Sequence, residues 1–76
     1  MVTVERIAAV AARLRQEGAT AAADELAHAH EGAFGGTELA MKWRFYLAKG
    51  LKLGGLSAVT RQEIKRVLGE LNAVLS

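Results

Sequence analysis

Apolar side chains recur every three or four residues along four stretches of the chain, and glycines separate the stretches. That spacing marks helices with one apolar face. In the first stretch Val4, Ile7, Val10, Ala11 and Leu14 fall on one side, with Arg6, Arg13 and Gln16 opposite. Thr3 is placed to cap this stretch and Gly18 to end it, which predicts a helix over 4–17. The second helix is predicted over 21–30, capped by Thr20, with Asp24 and Glu25 near its positive end. Its stripe of Ala22, Leu26 and Ala29 is thin. The short link between these helices predicts an antiparallel hairpin.

A third helix is predicted over 37–50, with Thr37 as cap and Glu38 in its first turn. At about 100° per residue, Leu39, Trp43, Tyr46, Leu47 and Gly50 share one face. Met41, Phe45 and Ala48 share another, roughly opposite, while Lys42, Lys49 and Arg44 occupy the seams. A helix apolar on two sides is normally sandwiched. One face therefore serves the chain's own core, and the other needs helix one, helix two or a second chain.

The fourth helix, 58–75, has the most regular stripe: Thr60, Ile64, Val67, Leu68, Leu71, Val74 and Leu75. Thr60 and Glu63 have the spacing of a capping box, and Val59 and Ile64 that of a hydrophobic staple. Ser57 is the alternative cap one turn earlier. The expected fold is all-α: a compact bundle of three to four helices in a single domain, 1–76. Its core is drawn from Ile7, Val10, Leu14, Leu26, Leu39, Trp43, Tyr46, Leu47, Ile64, Val67, Leu68, Leu71 and Leu75.

Composition agrees with this reading. Half the residues are apolar, Pro and Cys are absent, and β-branched runs are few, which favours helices without disulfides. A chain of 76 residues builds a marginal core, and oligomerisation is a natural source of further stability. The longest apolar run, Ile7 to Ala12, is far short of the roughly 18–20 residues that span a bilayer, so no membrane attachment is expected. Glu5 and Arg6 stand where a secretory signal would turn apolar, so a cytoplasmic location is expected.

Charge raises an alternative. Residues 1–36 hold three basic and five acidic side chains, whereas 37–76 hold seven basic and three acidic. The seven are Lys42, Arg44, Lys49, Lys52, Arg61, Lys65 and Arg66, interleaved at first with aromatics. Such a segment can contact phosphates and stack bases. The same asymmetry also fits two halves of one bundle that attract each other.

Other chemistry is sparse. Glu25 and His28 have the spacing that puts a carboxylate and an imidazole on one face, but no other segment supplies a histidine. His28 is expected to pair with Asp24, and His30 to be partly buried. There is no cysteine, the two serines are Ser57 and Ser76, and no nucleophile motif or phosphate loop is present. No catalytic residue, metal or cofactor is therefore expected.

The run Gly36-Thr37-Glu38-Leu39, the aromatic helix after it, and the closing LSAVTRQEIKRVLGEL resemble small bacterial all-helical proteins. That resemblance brings no activity and assigns no residue a role. The expectation is a non-enzymatic protein–protein interaction module, most simply a homodimer, with Phe34, Met41, Phe45 and Ala48 near the partner. A small nucleic-acid-binding protein using the basic segment is the alternative.

Overall fold

A computed structural model describes residues 2–33 and 35–75. Among them are four helices and no strand: α1 (Val4–Gln16), α2 (Thr20–Ala27), α3 (Gly36–Leu51) and α4 (Ala58–Leu75). α1 packs most heavily on α2, and α3 on α4, so two helical hairpins stack on each other. The radius of gyration is 11.4 Å, close to the ~11 Å of a compact chain of this length.

The α1–α2 turn follows from one glycine. Gly18 has φ +88°, a left-handed conformation that costs glycine little. Its N–H donates to the Arg15 carbonyl, and the Ala19 N–H to that of Leu14. This double bond pattern is the Schellman stop. It delivers Ala19, not Thr20, to the capping position of α2, so Thr20 is already helical and no side chain caps that end. α2 also stops three residues earlier than the sequence predicts, at Ala27. There the His28 ring nitrogen Nδ1 bonds to the Asp24 carbonyl at 2.8 Å, and tight turns follow. α3 begins one residue before Thr37, which is not its cap; Gly35 holds that position without a side-chain bond.

The start of α4 corrects the predicted capping box. Ser57, not Thr60, is the cap: its Oγ accepts the Thr60 N–H at 3.2 Å. Thr60 is fully buried one turn inside the helix. Val59 is 62% exposed, so the predicted staple with Ile64 does not form. The carboxylate that reaches back to the cap N–H in a capping box normally sits three residues on. Here it comes from Glu17 at the end of α1, which accepts from Ser57 N at 2.6 Å, from Ser57 Oγ at 3.0 Å and from Thr60 Oγ1. At the other end of the same helix pair, Arg6 Nη1 donates to Glu70 at 2.7 Å, and Nη2 lies 3.8 Å from Glu63. α1 is thus fastened to α4 near both ends.

One core takes residues from all four helices: Ile7, Val10, Ala11 and Leu14; Ala23 and Leu26; Ala40, Trp43 and Leu47; Ile64, Val67 and Leu71. Ala29, just past α2, joins it. Leu39, Tyr46, Leu68 and Leu75, also expected inside, pack against it half-buried. Ala23 rather than Ala22 is the fully buried alanine of α2, and Val4 is exposed.

The α1–α4 fastenings make stability depend on acid. Bonds from Thr60 and Ser57 hold the Glu17 carboxyl below its ordinary value of 4.5, and the Arg6 guanidinium does the same for Glu70. Folding therefore favours the ionised forms. Their stabilisation is complete above 4.5 and is lost as pH falls through the lower folded-state values. Urea midpoints are expected to drop between about pH 6 and pH 3. Glu17→Gln is expected to lower the midpoint at neutral pH and to flatten the acid limb. A flat wild-type midpoint over that range contradicts the assignment.

Candidate functional site

α3 is held from three directions. Its inner face buries Ala40, Trp43, Leu47 and Gly50. On the α2 side, Lys49 Nζ pairs with Glu25 at 3.1 Å, and Lys42 Nζ donates to the Glu31 carbonyl at 3.2 Å. At its C-terminal end, Arg61 of α4 donates to the carbonyls of Leu51 (3.3 Å) and Leu53 (3.5 Å). The Leu51 carbonyl belongs to the last turn of α3, where helix carbonyls lack intrahelical partners, and Leu53 lies just past the helix; a guanidinium from the neighbouring helix serves both.

The outward face is left uncovered by α1, α2 and α4. Met41 is 50% exposed, Phe45 is 64% exposed, and Ala48 is exposed beside them. Trp43, two positions from Phe45, is 7% exposed. The aromatics of this helix therefore form no single stacking platform. Tyr46 is half-buried, and its ring meets Phe45 edge-on, with centroids 5.3 Å apart and planes at 77°. The two apolar faces of α3 thus touch along that edge. Phe34, the remaining candidate contact, lies outside the described residues.

The seven basic side chains do not act as a block. Lys42, Lys49 and Arg61 are engaged as described, and Arg66 pairs with Glu63 at 3.5 Å. Arg44, Lys52 and Lys65 make no side-chain bond or ion pair with another described residue. Lys52 is a feature the helix prediction misses, because that helix ends at residue 50. As the C-cap it keeps a helical backbone (φ −82°, ψ −9°), which continues the line of Met41, Phe45 and Ala48.

The α2 region does not bring its polar residues together. Asp24 pairs with Arg15 at 2.7 Å rather than with His28, Glu25 faces Lys49, and His30 is exposed, not partly buried. Among the described residues no three His, Cys, Asp or Glu side chains gather as a metal would require. Beside the N-terminal half of α3 a groove of about 410 Å³ is walled by Val2, Leu39, Ala40, Trp43, Leu71 and Val74. Gly36 and Thr37 also line it, and no titratable group does. No helix among the described residues is long and apolar enough to cross a membrane.

The chain matches no known protein family, no curated protein and no solved structure.

The two faces of α3 separate in stability measurements. Trp43→Ala is expected to cost about 3–5 kcal/mol, a large share of the stability of so small a domain. Phe45→Ala is expected to stay within about 1 kcal/mol of wild type, since the side chain already meets solvent. Thermal or urea melts of both variants check this. A Phe45→Ala loss as large as that of Trp43→Ala places Phe45 in the core instead.

Proposed function

We propose that this chain is a non-enzymatic protein–protein interaction module that associates with itself through the outward face of α3. The observation that carries the reading is Phe45. A large aromatic is 64% exposed on a helix whose opposite face is fully used by the core. Exposed single apolar residues are ordinary, but Met41, Phe45 and Ala48 are contiguous along one helix face, and contiguous apolar surface marks contact sites. Burying it lets a chain with a small core gain further stability by association.

The basic-segment alternative draws on fewer side chains than the sequence suggests. Four of its seven cations are engaged within the chain, and the three that are not are single charges rather than a lined groove.

The strip is narrow, so the association is expected to be weak. It buries roughly a few hundred Å² per chain, against the ~800 Å² of a standard interface. Sedimentation or light scattering from about 10 µM to 1 mM is expected to show monomer giving way to dimer. Phe45→Glu is expected to stay folded and monomeric throughout. A wild-type chain that remains monomeric at about 1 mM, yet retards random-sequence DNA or RNA at low salt, overturns self-association in favour of nucleic-acid binding.

A further inference from the structure

Resting on that self-association, we infer that two copies pair their α3 helices antiparallel about Phe45, in one register set by Glu38 and Lys52. The outward line of α3 is Glu38, Met41, Phe45, Ala48, Lys52, spaced three, four, three and four residues. This is the a/d spacing of a coiled-coil seam. It has three apolar members in the middle and one charge of each sign at its ends. Trp43 and Gly50 fall on the opposite side of the helix and are buried, as a seam facing outward requires.

The line is complementary to its own reverse. When one copy is turned end for end about Phe45, Phe45 meets Phe45, Met41 meets Ala48, and Glu38 meets Lys52 of the other copy. A long side chain then faces a short one, the arrangement by which layers interdigitate. Each ion pair occurs twice by symmetry. Glu38 lies in the first turn of α3 and Lys52 at its C-terminal cap, so each charge also suits the dipole of its own helix end. The parallel arrangement sets Glu38 against Glu38 and Lys52 against Lys52.

On the lysine edge the reversed copy brings Lys49 beside Lys42, and contacts within each chain offset that like-charge approach. Lys42 and Lys49 occupy one edge of the seam; Lys42 is drawn to the Glu31 carbonyl just past α2, and Lys49 to the Glu25 carboxylate on α2. Arg44 lies on the other edge, where the reversed copy brings Leu51 and Thr37. Lys52 makes no side-chain bond or ion pair with another described residue.

Charge reversal and cross-linking test the register. Glu38→Lys and Lys52→Glu are each expected to weaken the dimer roughly 3–10-fold, by turning two attractive pairs into repulsive ones. The double variant is expected to return to near wild-type association. The chain has no cysteine, so single thiols report proximity without background. A mixture of Met41→Cys and Ala48→Cys chains is expected to form the mixed disulfide faster than either forms with itself. A wild-type dimer with unaffected charge-reversal variants, in which Met41→Cys links to itself, overturns the antiparallel register and leaves self-association standing. A wild-type monomer at about 1 mM overturns both.

Discussion

The arrangement of the two hairpins rests on one carboxylate. Glu17 ends α1, yet its oxygens complete the cap of α4, forty residues further along the chain. An N-terminal helix end leaves several backbone N–H groups without partners within the helix. Ser57 satisfies the Thr60 N–H, and Glu17 satisfies that of Ser57. The start of α4 is therefore tied to α1 as well as capped by its own Ser57. Arg6 does the matching work at the far end of the pair, through Glu70 and Glu63. With α1 and α4 fastened at two well-separated points, the hairpins have little freedom to slide, and the apolar stripes between them meet in one register. Buried Thr60 fits this scheme, because its hydroxyl is directed at Glu17.

The same interaction explains what the sequence could and could not reveal. Four helices, their order and the large core residues are legible, because Ile7, Val10, Leu14, Ile64, Val67 and Leu71 stand out from polar neighbours at helical spacing. The cap of α4 was ambiguous because Thr60 and Glu63 satisfy a local pattern, while the group that selects Ser57 is remote in sequence. In α2 the run Ala21, Ala22, Ala23 offers no contrast between inward and outward positions, so the pattern could not say that Ala23 is the buried one. Thr20 looked like a cap because its chemistry suits one. The Schellman turn at Gly18 fixes the entry to α2 a residue earlier. Likewise Asp24 and His28 are a plausible local pair, but Arg15 on the neighbouring helix takes the Asp24 carboxylate. The cap of α4 and the partner of Asp24 are decided by groups on another helix, whereas the entry to α2 is decided by the local Gly18 turn.

The opposite charge of the two halves also divides once contacts are known. Lys49 with Glu25, and Lys42 with the Glu31 carbonyl, join the basic half to the acidic half across the α2–α3 seam. Arg6 with Glu63 and Glu70 joins them in the reverse sense. Much of the basic segment is thus spent inside the fold. These pairs are partly exposed and individually worth little. Their consequence is placement: they draw lysines toward α2 and leave the outward line of α3 with few competing charges.

That line is where local and global demands on α3 part. Trp43 and Phe45 are two residues apart and cannot share a helix face, so a helix that buries one must present the other elsewhere. With α1 fastened to α4 and α2 tied to the Lys42–Lys49 side of α3, no helix of the bundle remains to cover Phe45. Tyr46 meets one edge of its ring, and the Phe45 side chain stays 64% exposed. Met41 and Ala48 lie in line with that ring, and Glu38 and Lys52 close the line with opposite charges. A second α3 running the other way satisfies the whole line, because each member meets its complement. Reversal of the helix direction also sets the negative end of one dipole beside the positive end of the other. On this reading the outward face of α3 is a half-interface whose other half the chain itself encodes.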